Sequence, residues 1–235
     1  MKRGLMVFAG VFAFAVATAD ESNRALVFGG TGRLGAPIVE LLVEAGYPVT
    51  IFARPTSNRE RLAGLDVDYV TGDLLEGDSV TAAVNEQPFR FVIDASGRGR
   101  STERFYDTAM RNILVAIADS DVQQFILHGS VGAGDNVKNF PDIPFGRMMD
   151  TLNAKGEAED LLKASGITYT IIRNGRVLPY GTPATGTGEL TEDDTVMANI
   201  TRLDLASLTL QCLDNPDCFN KTFHAQDPGL EAYSR

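Results

Sequence analysis

"VFGGTGRLGAPI", residues 27–38, is the stretch on which the reading of this chain turns. Gly30, Gly32 and Gly35 stand in a G-x-G-x-x-G frame, and Gly29, Gly32 and Gly35 in a G-x-x-G-x-x-G frame. A glycine match alone is weak. Here it follows the apolar run "ALVFGG" and opens the helical pattern "LGAPIVELLVEAG", which stops at Gly46. A strand before and a helix after are the context the motif requires. Glycines let the backbone turn tightly and approach a pyrophosphate, and the N–H groups at the helix start then face the phosphates. On this reading Gly29, Gly30, Thr31, Gly32, Arg33, Leu34 and Gly35 form a phosphate-binding loop.

Outward from that loop the chain alternates short apolar runs with amphipathic ones. "PVTIFAR", "VDYVTGD", "FRFVIDASG", "QQFILHGS" and "ITYTIIRNG" read as further strands, and "KTFHAQ" as a last one. "TERFYDTAMRNILVAIADS", "DTLNAKGEAEDLLKASG" and "TRLDLASLTLQCL" read as helices. Strands alternating with helices imply crossover units and a parallel sheet covered on both faces. Crossovers are right-handed, so a doubly wound α/β sheet is the economical solution. At 235 residues the chain suits one sizeable domain, residues 20–235, after a distinct segment 1–19. In such sheets ligands bind beyond the carboxyl ends of the strands.

The second strand's end bears on which dinucleotide fits. A ribose 2′-hydroxyl is usually held by an acidic residue there. This chain instead has Ala53-Arg54-Pro55, with Arg59 and Arg61 close by and Arg33 inside the loop. An arginine fork matches a 2′-phosphate, so the expected cofactor is NADP(H) rather than NAD(H). Asp73 and its neighbour Leu74 end the third strand, where a carboxylate can accept from the adenine amino group. Ala95, Ser96 and Gly97 end the fourth, where small residues permit close approach. Asp, Ser and Gly also suit plain turns.

The formal charge of −10, with 44% apolar and 22% charged residues, describes an acidic globular chain. Its field repels polyanions, so no nucleic-acid partner is expected. A small-molecule substrate is expected, no metal-ligand constellation is read, and the oligomeric state is left open. "MKRGLMVFAGVFAFAVATADES" opens with two cations, continues apolar from Gly4 to Val16 and closes on Ala17-Thr18-Ala19. That is the layout of a secretory signal peptide, and the run is short for a bilayer span. The expectation is a secretory pathway, periplasm or organelle lumen, with membrane association only through this segment. If the segment is part of the domain, the protein is cytoplasmic. Cys212 and Cys218, six apart, either bridge a turn or stand as independent thiols. Asn199-Ile200-Thr201 and Asn220-Lys221-Thr222 fit the glycosylation acceptor pattern, which matters only in a eukaryotic host.

With these residues placed, residues 24–226 resemble the atypical, NmrA-like short-chain dehydrogenase/reductases. The resemblance rests on "VFGGTGRLG", on "GD" after the third strand, on "ILHGSVGAG" and on "AKGEAEDLLKASGITYTIIRNG". The last segment usually ends Arg-Pro-Gly in that family; here it is Arg173-Asn174-Gly175. The layout is similar to biliverdin-IXβ/flavin reductases. The resemblance implies a NAD(P)-binding Rossmann fold and a serine, tyrosine and lysine that cooperate. Ser130 and Lys155 match the serine and the lysine, both also placed at the cofactor. The tyrosine position, one helical turn before Lys155, holds Thr151, which has too high a pKa and too short a reach for general acid work. Tyr180, in the segment after the sixth strand, is the candidate substitute or a surface aromatic. His128, two before Ser130, points to the same side and is read as a satisfied buried histidine. Phe140, Phe145, Met148 and Met149 suggest an apolar or planar ligand, or ordinary packing. The expected function is NADP(H)-dependent reduction of a small planar or apolar acceptor. The alternatives are a non-catalytic NADP(H)-binding regulator or assembly factor, and an epimerase or isomerase using bound NADP(H) transiently.

Overall fold

The computed structural model describes residues 21–99 and 104–231. Strand β1 (Ala25–Phe28) leads through the glycine loop into α1 (Gly35–Glu44), then β2 (Val49–Ala53) and β3 (Asp68–Thr71). Helix α2 (Gly77–Val84), β4 (Phe91–Asp94), α3 (Tyr106–Ile117) and β5 (Gln124–Ser130) follow. Then come α4 (Met149–Ala164), β6 (Tyr169–Asn174), β7 (Arg176–Val177), β8 (Glu189–Thr191), β9 (Asn199–Ile200), α5 (Arg202–Cys212) and β10 (Lys221–Gln226). The eight-stranded sheet has the order β3-β2-β1-β4-β5-β6-β10-β8. Every neighbouring pair in it is parallel except β10 with β8. This is the doubly wound, single-domain arrangement expected, and strand order reverses between β1 and β4. Phe28 is in register with Phe52 on one side and Asp94 on the other, so the loops after β1, β2 and β4 open at one edge.

Strands β1 and β4 are buried at all four positions, as central strands covered on both faces must be. Their side chains alternate between two cores. Ala25 and Val27 pack with Val39 and Leu42 of α1 and with Leu205 and Leu208 of α5. Leu26 and Phe28 pack with Val80 of α2, Ile113 of α3 and Leu162 of α4. Helix α5 is started by Thr201, whose hydroxyl accepts from the Asp204 N–H at 3.0 Å. Below α4, Glu159 and Arg173 form a buried ion pair, Nη2 to Oε2 2.6 Å.

Five features depart from the sequence reading or decide between its alternatives. Helix α2 was not expected, and neither were the short β7–β9 ribbon and the antiparallel edge strand β8. Cys212 and Cys218 are bridged. Phe140, read as a ligand contact or as packing, is 8% exposed and stacks on His224, so it serves packing. The proposed leader, residues 1–19, lies outside the described residues. Among the described residues no helix is long and apolar enough to cross a membrane.

Candidate functional site

The glycine loop comes so close to the loop after β4 that a side chain has no room. Gly29 has φ +74°, and a Cβ there would lie 2.6 Å from the Ala95 carbonyl oxygen. A Cβ on Gly35 would collide with the Gly29 carbonyl. Gly32 N–H donates to the same Gly29 oxygen at 2.8 Å, closing the turn. No side chain caps α1. Ala36 N–H donates to the Gly32 carbonyl and Pro37 has no N–H, so in the first turn the Gly35 N–H and the positive end of the helix dipole are left for an anion.

An open groove of about 630 Å³ runs from this loop along the strand ends. Gly29, Thr31 and Gly32 line it, with Arg54 after β2, Asp73 and Leu74 after β3, and Ala95, Ser96 and Gly97 after β4. The structure thus brings nine of the expected cofactor residues to one surface. Phe52, Ala53, Ser57 and Phe105 complete the wall; none of the four was among the expected cofactor residues. Gly30 faces inward, where a Cβ would meet Ile51 at 2.9 Å, so its role is packing. Leu34 packs against the α1–α5 core, and Arg33 is exposed at the helix start.

The electrostatics of the groove oppose those of the chain. Arg54 is exposed, and its guanidinium makes no ion pair or hydrogen bond among the described residues. Arg61 Nη1 donates to the Thr31 carbonyl at 3.4 Å, and Arg59 lies 4.1 Å from the centre of the Tyr69 ring. Arg202 donates to the Leu178 carbonyl. Burial and the neighbouring Arg33 charge lower its pKa. Arg54 on the groove wall and Arg61 beside the glycine loop, in a chain of charge −10, suit an anionic ligand. Asp73 is partly engaged, accepting from the Leu75 N–H at 3.0 Å.

Ser96 also lines a second, smaller cavity of about 270 Å³, shared with Asp94, Tyr106, His128 and Lys155. Lys155 Nζ sits 4.8 Å from the centre of the Tyr106 ring. Burial pushes the Lys155 amine below its usual value, against the pull of the Asp94 and Glu159 carboxylates. Burial pushes the Asp94 carboxyl up, against the Ser96 hydroxyl, the Ser96 N–H and the Lys155 charge. His128 Nε2 pairs with Thr209 Oγ1 at 2.9 Å. Burial, with the Lys155 charge, drops the pKa of His128 to about 3. It is therefore neutral across physiological pH; it is buried as expected, but only half satisfied, since its Nδ1 has no hydrogen-bond partner among the described residues.

Ser130 stands half-buried at the end of β5, in register with Asn174, and lines neither the groove nor the Lys155 cavity. Thr151 lines a third cavity of about 820 Å³ together with Arg98, Arg104 and Tyr106. Tyr180 is 51% exposed beneath the Arg61 guanidinium, 5.1 Å from its ring centre. Because Arg61 holds the Thr31 carbonyl, Tyr180 borders the glycine loop and lines neither cavity. The phenol that the structure sets against Lys155 is Tyr106, which the sequence reading missed. The two residues come from different helices, and only the packing of α3 on α4 joins them.

A doubly wound sheet with a glycine loop, an uncapped helix start and a strand-end arginine defines a dinucleotide-binding α/β protein. A family model described as NAD(P)H-binding matches residues 29–216, and the chain belongs to that family. A phenylcoumaran benzylic ether reductase from Pyrus communis is 25% identical, over 88% of this chain and 70% of that protein. An NAD(P)H azoreductase from Xenophilus azovorans is 27% identical, over 86% of this chain and 68% of that protein. Among solved structures, ChuY, an anaerobilin reductase from Escherichia coli O157:H7, aligns with TM-score 0.78 at 23% identity. That alignment covers 90% of this chain and 100% of that one, and shows a shared fold.

Proposed function

We propose that this protein is an NADPH-dependent reductase of a small planar or apolar electron acceptor. The observation that carries the reading is the Arg54 guanidinium on the groove wall, unpaired among the described residues, in a chain whose second strand ends without a carboxylate. Two relatives named as reductases, one of them an azoreductase, support the same class of chemistry. NADPH, when bound, supplies the hydride. The protein's part is to seat the phosphates on the α1 start, meet the 2′-phosphate with Arg54, and hold Lys155 at the ribose end of the groove, where Ser96 joins the two cavities. The test is NADPH oxidation by the purified chain with FMN, a naphthoquinone, biliverdin, an azo dye and a simple aldehyde. Turnover is expected with the conjugated acceptors and little with the aldehyde. Tight NADPH binding without turnover on any of them would favour a non-catalytic binding protein.

Targeting away from the bulk cytosol belongs to the same proposal. The first 19 residues have the order of a cleavable leader, and the Cys212–Cys218 bond suits an oxidising compartment. A lumen with its own NADPH pool reconciles the two. N-terminal sequencing of the native protein checks it: a start near Asp20 supports cleavage, and an intact Met1 in a soluble cytosolic fraction contradicts it.

A further inference from the structure

The missing phenol of α4 has a counterpart on α3. Tyr106 lines both the Lys155 cavity and the larger cavity that holds Thr151, so its ring forms the wall between them. Its face is turned to the Lys155 ammonium, 4.8 Å from the ring centre. Its oxygen lies near the backbone N–H of Arg98, in the loop that continues from the groove residues Ala95, Ser96 and Gly97. An N–H dipole near the oxygen and an ammonium at the ring both favour a phenolate once the proton has left. Burial and the Asp94 carboxylate act the other way and keep the phenol protonated at rest. The larger cavity also carries Arg98, in the loop after β4, and Arg104, just before α3, whose exposed side chain leaves its mouth open to water.

Building on the reductase reading, we propose that Tyr106 is the proton donor of the reaction, standing in for the absent tyrosine at position 151. The acceptor gains a hydride with its electron pair from NADPH, which becomes NADP⁺. The Tyr106 O–H bond breaks, and its proton neutralises the negative charge the hydride leaves on the acceptor. The phenolate, near the Arg98 N–H and faced by Lys155, then recovers a proton from water entering through the larger cavity. The acceptor lies across the boundary of the two cavities, with its reacting atom near Ser96. Tyr180, at the glycine loop, takes no part.

Tyr106→Phe removes the hydroxyl and leaves the ring, so packing and the contact with Lys155 are kept. The full chain, wild type and variant, is assayed for NADPH oxidation with FMN, the naphthoquinone, biliverdin and the azo dye, and NADPH binding is measured by calorimetry. The expected result is a fall in kcat of about 10²- to 10⁴-fold, the size of a general acid contribution, with NADPH affinity within about twofold of wild type. An active wild type whose Tyr106→Phe form keeps more than a tenth of its kcat overturns the assignment and leaves the reductase reading standing. Loss of NADPH binding in the variant also overturns it, since Tyr106 would then be part of the cofactor seat. A wild type that binds NADPH but reduces none of the acceptors overturns both.

Discussion

His128 links acidity to stability in a way that can be predicted with sign and size. Its ring is 6% exposed, bonded at Nε2 to Thr209 Oγ1, and its pKa falls to about 3 from an ordinary value of 6.5. Folding therefore favours the neutral form. The stability this provides is fully present above pH 6.5 and is lost as pH falls from 6.5 towards 3, because the unfolded chain takes up the proton first. Each unit of separation is worth about 1.36 kcal/mol. Lowering pH from 7.5 to 5 crosses about 1.5 units of that window, so His128 alone should cost about 2 kcal/mol of unfolding free energy. Burial also lowers the pKa of His224, so it adds a loss of the same sign. The assay is urea unfolding of the wild type and of His128→Gln at both pH values. The variant keeps His224 and every carboxylate, so the difference between the two pH dependences isolates His128. The wild type should lose about 2 kcal/mol more than the variant over this interval. Equal losses would refute the reasoning and mean that the His128 ring is not held neutral by burial.

Glu159→Gln leaves the Arg173 guanidinium buried and unpaired, so unfolding free energy at pH 7 should fall by about 3–5 kcal/mol; a loss under about 1 kcal/mol would show that the pair is not desolvated. Reduction of Cys212–Cys218, which closes a loop of six-residue separation, should destabilise the fold by about 2 kcal/mol on the loop-entropy estimate, seen as a lower Tm in dithiothreitol. Gly35→Ala places a methyl against the Gly29 carbonyl and must move the phosphate loop. Strain of this kind costs about 1–3 kcal/mol, so NADPH affinity in calorimetry should fall about tenfold or more. Unchanged affinity would mean that the loop does not seat the phosphates.

What was legible in the sequence followed from local pattern. The glycine loop declared itself because its spacing, the strand before it and the helix after it are all contiguous. The strands of the sheet core read as apolar runs because both of their faces are covered. Helix α2 was passed over because its eight residues show only Val80, Ala83 and Val84 as a buried stripe, and no side chain caps its start. The need for a crossover between the parallel strands β3 and β4, neither adjacent in the sheet, was the signal that would have found it. Strands of two or three residues, such as β7, β8 and β9, are too short to show a period. Tyr106 could not be placed beside Lys155 because tertiary packing, not spacing, joins them. The same holds in reverse for Tyr180, which loop position suggested as a donor and the Arg61 contact ties to the glycine loop instead.

The central claim is that this groove seats NADP(H) through Arg54, and calorimetric titration of NADPH and NADH into the wild type and Arg54→Ala tests it most directly. One charge-assisted contact is worth about 1.5–3 kcal/mol, or roughly tenfold to hundredfold in affinity. The wild type should bind NADPH more tightly than NADH by a factor in that range. Arg54→Ala should remove most of the difference by weakening NADPH alone. Equal wild-type affinities, or equal losses for the two nucleotides in the variant, would contradict the claim.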